Sequence, residues 1–417
     1  MPEKQKKHFE WWWLVLPVVY LLFITFGLPN NLLGSTWPAL NELNNFPLTG
    51  STTVYMVISI GNIIASFTSD KLIRALGHAK VVWIGLILTI IAVLGWGFTK
   101  SYVAFIILGL PFGFGAGYGV AATNNYMVDH YKAFHLSMVN CVWAIGSAAG
   151  GGIINAALGK GIDNYKTGYI VIGVIVAVVL VIAIINSRHW KEVPLIAADA
   201  QEPEEKDPNA KPVTMKDAIV IPGVFAAMMV LFFYASIENV NNTVGPTFMK
   251  EFCGATAKDA TLGGTLFFVG LAVGRFITAF ITLKLSDKTL LRSGEAVMLI
   301  GVILLIVAKG NSTLALVALA VVGVGCAPIN PMLVHSTPEN FGTKYSQAAV
   351  GLILTASNVG NLLMPKLFSV IAKALTHPHH SGYWFYPYYV LIMLVLLCAM
   401  FELLQFQSKK NKKKAEA

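Results

Sequence analysis

Apolar runs of about twenty residues, parted by short polar breaks, fill almost the whole chain. A bilayer core of about 30 Å takes about twenty apolar residues at the helical rise, so each run reads as one membrane-crossing helix. The windows fall near 11–34, 51–70, 80–99, 102–128, 136–158 and 167–187, then near 218–247, 261–285, 293–309, 312–335, 345–372 and 384–406. Between the two sets lies the one long hydrophilic interior stretch, 188–216, with Glu202, Pro203, Glu204, Glu205, Lys206, Asp207 and Pro208. The pattern predicts an all-α integral membrane fold of twelve transmembrane helices in two six-helix bundles. The expected division is an N-terminal bundle at 1–187, a linker at 188–216, a C-terminal bundle at 217–406 and a basic tail at 407–417.

Composition narrows the class further. Of the 417 residues, 56% are hydrophobic and 12% charged, with a mean hydropathy of +0.66. Soluble domains carry roughly 25% charged residues, so this chain lacks the charge to cover a water-facing surface. The apolar stretch after Trp11, Trp12 and Trp13 is too long for a secretory signal and reads as the first span. The net charge of +9 sits in short loops and in the tail Lys409, Lys410, Lys412, Lys413 and Lys414. Such a cluster attracts anionic lipid head groups or simply fixes topology, and is no sign of a nucleic-acid partner. An even number of spans puts both ends on one side. Most of the 30 Lys and Arg fall in loops on that side, which predicts cytoplasmic termini in the plasma membrane. The four cysteines (Cys141, Cys253, Cys326, Cys398) have no disulfide or metal-ligand spacing and read as apolar filler.

An internal repeat supports two equivalent halves. Gly61 begins a run ending Ser69-Asp70-Lys71, then Arg74 and Gly77, after the second span. Gly274 and Arg275 begin a similar run ending Ser286-Asp287-Lys288, then Gly294, after the eighth. The spacing from the first glycine differs by four residues, about one helical turn. Asp70, Lys71, Arg74, Gly77, Arg275, Asp287 and Lys288 are therefore expected to brace the ends of neighbouring helices. Parallel repeats about an axis along the membrane normal are the architecture of major facilitator transporters.

Particular segments extend that likeness. The run Gly27-Leu28-Pro29-Asn30-Asn31-Leu32-Leu33-Gly34-Ser35-Thr36-Trp37-Pro38 is one. Asn124-Asn125-Tyr126 with His130-Tyr131-Lys132, His135 and Ser137 is another. In the second half come Cys326-Ala327-Pro328-Ile329-Asn330-Pro331, His335-Ser336-Thr337-Pro338, Asn340-Phe341-Gly342, Ser346-Gln347-Ala348 and Met364-Pro365. Together these resemble the major facilitator branch of the fucose permease and related sugar:proton symporters, nearest to permeases of Gram-positive bacteria. The likeness implies alternating access around a central cavity, with a glutamate at the position of Glu238 facing it. Relatives often carry acids where this chain has Asn30 and Ala121. The resemblance thus implies transport without two natural proton carriers.

Polar groups at membrane depth name the candidate chemistry, because an ionisable residue there needs a partner or a wet cavity. Glu238 and Arg275 are the two ionisable residues expected well inside spans. Glu238 is expected to accept hydrogen bonds from a solute, and is the one intramembrane candidate for proton coupling. The alternative is a structural ion pair with Arg275, which is expected to brace helices. Asparagines recur in six spans, and each amide offers two donors and an acceptor suited to sugar hydroxyls. Lipid offers these amides no partner, so they face other helices or water. The expected substrate contacts are Asn30, Asn31, Asn124, Asn125, Trp143, Glu238, Asn241, Asn242 and Asn330. Trp37 and Trp143 are each suited to stacking on a sugar ring or to core packing. Pairs of glycines at four-residue spacing (Gly113 and Gly117, Gly115 and Gly119, Gly270 and Gly274) allow close helix approach, and some of these contacts are expected to slide.

No cofactor, metal or enzymatic constellation is expected, and His377, His379 and His380 read as an exposed loop. The expected partners are a small-molecule substrate and the bilayer, with a proton or sodium as the coupling ion and a monomeric chain. The functional reading is a secondary transporter of a small, neutral, hydroxylated solute, as symporter or facilitator. An exporter of drugs or lipids, or a solute sensor that moves nothing, stays open.

Overall fold

The computed structural model describes residues 11–131, 133–193, 215–282, 284–378 and 381–416. The charged segment 1–10, most of the hydrophilic stretch at 194–214, His379, His380 and the side chains beyond Lys409 lie outside the described residues. Twelve helices among those described are long and apolar enough to cross a membrane. They are α1 (Val15–Asn44), α2 (Gly50–Leu76), α3 (His78–Phe98), α4 (Tyr102–His130), α5 (Met138–Leu158) and α6 (Ile162–Lys191). The second six are α7 (Val224–Phe252), α8 (Ala257–Ile281), α9 (Asp287–Val307), α10 (Ser312–His335), α11 (Ala348–Leu375) and α12 (Gly382–Lys409). Twelve crossings return α12 to the face from which α1 starts. That face is called terminal below, and the opposite one distal.

Local chemistry sets the ends and the breaks. Ser101, Thr256, Ser286 and Asn311 cap α4, α8, α9 and α10, their side chains accepting from backbone N–H groups three residues on. Gly77, at φ +83°, ends α2 in a conformation that favours glycine and turns the chain directly into α3. Pro29 lies in a 3-10 turn, Leu28–Asn31, that interrupts α1. Its missing N–H and fixed φ make a straight helix costly there. A matching break at Ala327 and Pro328 divides α10 into Ser312–Cys326 and Ile329–His335.

Each half has its own hydrophobic core. Trp37, Trp96, Tyr165 and Tyr169 anchor the core of α1–α6, and Phe248, Phe267, Phe368 and Tyr386 that of α7–α12. Trp37 is fully buried, donates its indole N–H to the Pro47 carbonyl and packs with Phe46, Tyr102 and Phe105. Of its two expected roles, core packing is the one the structure gives it.

Glycine lets backbones touch inside each half. A Cβ on Gly113 of α4 would strike the Ile58 carbonyl of α2, and one on Gly117 would strike Ala65. The same crossing recurs in the second half, where Gly270 of α8 and Gly323 of α10 abut the Ala320 and Phe267 carbonyls. Gly115 meets Gly85 of α3, while Gly274 meets Ala327 of α10. The glycine contacts expected to slide all lie within a single half, away from the seam between halves. The glycines between halves are others, namely Gly34 against Asn242, and Gly151 and Gly264 around Asn31.

The two Ser-Asp-Lys runs sit differently on their helices. Ser69-Asp70-Lys71 lies inside the last turns of α2, whereas Ser286 caps the start of α9. Both aspartates nonetheless reach the fourth helix of their own half. Asp70 accepts from Asn125 of α4 at 3.5 Å, and Asp287 meets His335 of α10 at 2.7 Å. Arg74 lies 3.9 Å from Asp70, and Lys288 pairs with Glu339 at 3.1 Å. Gly294 is a mid-helix residue against Pro328, not a loop glycine like Gly77.

The halves meet along α5 with α8, α2 with α11, and α1 with α7 and α8. Cross-half hydrogen bonds concentrate toward the distal face. Thr261 Oγ1 donates to the Ser35 carbonyl (3.1 Å), Asn155 to the Lys258 carbonyl (2.8 Å) and Tyr383 to the Leu48 carbonyl (3.0 Å). Lys250 pairs with Glu42 at 3.0 Å, and Lys366 donates to Thr53 Oγ1 at 2.8 Å. The distal face is shut, and Arg275 is the cross-half tie nearer the terminal face.

These contacts separate glycines that hold a half together from glycines that do not. Gly113→Ala is expected to lower Tm by several degrees, an overpacking cost of about 1–3 kcal/mol. Gly152→Ala, whose Cβ would meet nothing within 4 Å, leaves Tm unchanged. Thermal unfolding of the detergent-solubilised protein, followed by size exclusion, measures both.

Candidate functional site

Between the halves, at mid-depth, lies a cavity with an empty volume of ≈ 770 Å³, counted to its open mouth. The first half lines it with Asn30, Tyr55, Ile58, Ser59, Asn62, Phe112 and Trp143, the second with Glu238, Asn239, Asn242, Phe268, Asn358 and Asn361. Thus six asparagines, one serine, one tyrosine and one carboxylate share the wall with three wholly apolar rings or faces. No methionine is among them.

The distal end of the cavity is closed by a short network. Tyr55 Oη donates to the Asn30 carbonyl (2.9 Å). Asn242 Nδ2 donates to that same carbonyl (3.2 Å) and to Tyr55 Oη (3.3 Å). The 3-10 break of α1 exposes the Asn30 carbonyl to these donors, because a helical carbonyl would be occupied by its own i+4 amide. Asn239 is held by the Asn361 carbonyl at 2.9 Å, which fixes the wall between α7 and α11.

Toward the terminal side, Glu238 is half-buried at the wall, and Arg275 stands behind it. Arg275 Nη1 donates to the Asn140 carbonyl of α5 at 2.7 Å, and its guanidinium lies 5.9 Å from the Trp143 ring centroid. Trp143 packs edge-on against Phe268 at 5.9 Å between ring centroids. Arg275 couples electrostatically to Glu238, but the two do not approach to the 4.0 Å of an ion pair. Both interact with the buried hydroxyl of Tyr234, through contacts looser than a regular hydrogen bond. The direct Glu238–Arg275 pair is therefore replaced by a looser arrangement, with Arg275 bracing α8 against α5.

The expected contacts separate by position. Asn30, Trp143, Glu238 and Asn242 come together at the cavity. Asn31 is wholly buried behind α1, against Gly151 and Gly264. Asn241 faces α12, where its Oδ1 accepts from Tyr386 and its Nδ2 donates to the Ile237 carbonyl at 2.7 Å. Asn125 turns to Asp70 on the outside of its half, Asn124 is half-buried near the end of α4, and Asn330 follows the break in α10. None of these last five lines the cavity. Adjacent residues on a helix point about 100° apart, so neighbouring asparagines cannot all face one cavity.

Sequence reasoning missed Tyr55, Ser59, Asn62, Phe112 and Phe268. The signal for Asn62 was present, as an amide in the middle of an apolar run, whereas the aromatics are indistinguishable from core. Two further ionisable groups lie within spans besides the expected pair. Glu295 of α9 is buried, with Oε1 unpartnered, beside the Arg292–Glu402 pair of α9 and α12. Lys366 of α11 holds Thr53. Just past α7, burial pushes the Cys253 thiol up to about 11, in keeping with cysteines that act as filler.

With this geometry in hand, the chain's kinship is plain. The profile of the Major Facilitator Superfamily matches residues 19–237 and again 224–417, and the chain belongs to that superfamily. No curated protein matches it in sequence. Among solved structures it is similar to the nucleoside transporter NupG, with 13% identity over 93% of this chain and 99% of that one and a TM-score of 0.69. It is also similar to a D-xylose-proton symporter (18% identity, 92% and 96% covered, TM-score 0.69). The fucose:proton symporter FucP of E. coli follows (16% identity, 95% and 99% covered, TM-score 0.60). These likenesses carry the twelve-helix fold, and they lend nothing to a nearer kinship with Gram-positive permeases.

The network at the closed end yields a direct expectation. Tyr55→Phe removes two hydrogen bonds of this network, the one Tyr55 donates to the Asn30 carbonyl and the one it accepts from Asn242, a loss of about 1–3 kcal/mol in the closed form. Tm should drop by several degrees, while Tyr102→Phe, whose bond to Gly50 is stretched to 3.5 Å, should leave it unmoved. Thermal unfolding of the two variants side by side makes the comparison.

Proposed function

We propose that this membrane transporter carries a small, neutral, hydroxylated solute of the size of a monosaccharide, by alternating access of its two halves. The cavity wall carries the reading. Six amides, a serine and a tyrosine offer directional donors and acceptors for several hydroxyls. Trp143, Phe112 and Phe268 supply apolar faces of the kind a sugar ring covers. A drug or lipid exporter would be served by aromatics and methionine instead, and the amides outnumber the aromatics here. A sensor that moves nothing would gain little from glycine-tight halves meeting across a polar seam.

Glu238 is the one carboxylate on the wall and serves as hydrogen-bond acceptor for the solute. With Asn30 where relatives carry an acid, Glu238 is also the one cavity group able to take up a coupling proton. Facilitation and proton symport thus differ by the behaviour of a single residue. The Lys and Arg bias supports a cytoplasmic terminal face, in which case the closed distal face looks outward and the cavity is served from inside.

Counterflow of a radiolabelled panel of sugars, polyols and nucleosides in proteoliposomes tests the substrate class. A neutral hydroxylated solute should exchange, and uptake confined to lipophilic cations would overturn the reading. For the solute so found, Glu238→Gln should raise KM about tenfold or more, as expected when a charge-assisted hydrogen bond is weakened. If Glu238 also carries a proton, the variant loses the pH dependence of uptake; an unchanged KM and pH profile would remove Glu238 from the mechanism. A cysteine placed in the tail at Lys414 and labelled only after permeabilisation of cells would support the topology; labelling of intact cells would reverse it.

A further inference from the structure

Asn31 is the polar residue the cavity leaves unexplained. It is 0% exposed, and neither its Nδ2 nor its Oδ1 has a hydrogen-bond partner among the described residues. Two glycines from opposite halves press on it. A Cβ on Gly151 of α5 would lie 2.6 Å from Asn31 Nδ2, and one on Gly264 of α8 would lie 2.6 Å from its Oδ1. The amide is thus clamped between helices that must part when the distal face opens. One turn further along α1, the Ser35 hydroxyl is also fully buried and unpartnered, in the same seam where the Ser35 carbonyl takes the Thr261 bond. Asn242 Oδ1, across α1 on α7, is a fourth such atom.

A buried polar group without a partner costs its full desolvation, whereas the same group in water is satisfied. The seam therefore carries a penalty present only while the distal face is shut. The close fit at Gly151, where Thr265 Oγ1 also crowds in, and at Gly264 leaves no room for a water or an ion between Asn31 and either backbone. Opening relieves the penalty at once, because α1 parts from α8 and the amide meets solvent.

We infer that Asn31 is a positioning residue of the transport cycle: its unpaired amide destabilises the distally closed form and sets how readily the empty carrier opens outward. It takes no part in holding the solute. This rests on the alternating-access reading above. Its functional meaning is that an unloaded carrier can return unaided, a step that facilitated transport and symport both require.

The test needs no substrate. In the full chain with its four native cysteines replaced by alanine, Ser51→Cys places a thiol in the distal seam. Ser51 is 1% exposed there and donates to the Thr243 carbonyl. A membrane-impermeant maleimide applied to cells labels it only during distal opening. Adding Asn31→Leu, an apolar side chain of similar volume, should slow labelling about tenfold and raise Tm, since removing an unpaired amide favours the closed form. Ser35→Ala should act in the same direction by a smaller factor, and it decides the matter should Asn31→Leu fail to fold. Labelling as fast as in the parent, in whichever of these variants folds, overturns the inference. So does a lowered Tm in Asn31→Leu, which would mean the amide is satisfied when closed. Failure of the underlying reading looks different: Ser51→Cys would then never label, with or without the second substitution.

Discussion

A polar group in hydrocarbon has only other protein groups, or water the protein itself admits, for partners. That constraint arranges the rest of this molecule. It forces the backbone into helices, whose bonds close internally. It then sorts the asparagines, since every amide at depth must find a carbonyl, a hydroxyl or a cavity. Asn239 finds the Asn361 carbonyl and Asn242 the Asn30 carbonyl, which the break at Pro29 has freed. The wet cavity collects those left over.

The same constraint explains why contacts within halves differ in kind from contacts between them. Within a half, glycine draws backbones together, as at Gly113 with Ile58 and Gly323 with Phe267, and the gain is van der Waals contact that any shift would lose. Between halves the seam is polar and modest. It includes hydroxyls and amides on carbonyls, Lys366 on the Thr53 hydroxyl, Arg275 on the Asn140 carbonyl, and the Glu42–Lys250 pair, whose side chains are 49% and 20% exposed. An exposed pair of this kind contributes about 0–1 kcal/mol. Two stiff bodies joined by replaceable bonds can rock, because each bond across the seam has an equivalent in water when the seam parts.

The twelve helices and their pairing into like halves were legible in the sequence because hydropathy at twenty-residue scale is set by the bilayer, not by tertiary detail. The cavity wall was legible only in part. Asn30, Trp143, Glu238 and Asn242 could be picked out by chemistry, but Asn31 and Asn241 beside them could not be told apart from contacts. On a helix apolar all round, period carries no sign of which face is wet. The SDK runs show a second limit. Identical letters cap α9 in one half and lie within α2 in the other, because α2 continues to Gly77 where α8 stops at Ile281. Both aspartates still reach their fourth helix, so the repeat was right about partners while misleading about geometry.

The first half contributes no acid to the cavity wall, and this has a physical consequence. A symporter must prevent its partly loaded forms from crossing, and a carboxylate at depth does so by making its ionised state costly to enclose when solute is bound without the proton. Here the first half brings neutral amides and hydroxyls to the buried seam, its Glu42 being paired with Lys250 at the part-exposed distal rim. Burying such a neutral group unpaired costs about 1–3 kcal/mol, against several for an ion. An amide penalty is large enough to tilt an equilibrium and too small to lock one. With Asn30 at the cavity and Asn31 behind it, α1 offers the solute a ligand on one side and the closed state a modest burden on the other. In the mechanism proposed above, any coupling passes through Glu238, on the half whose Arg275 reaches the Asn140 carbonyl and Trp143 near the terminal face.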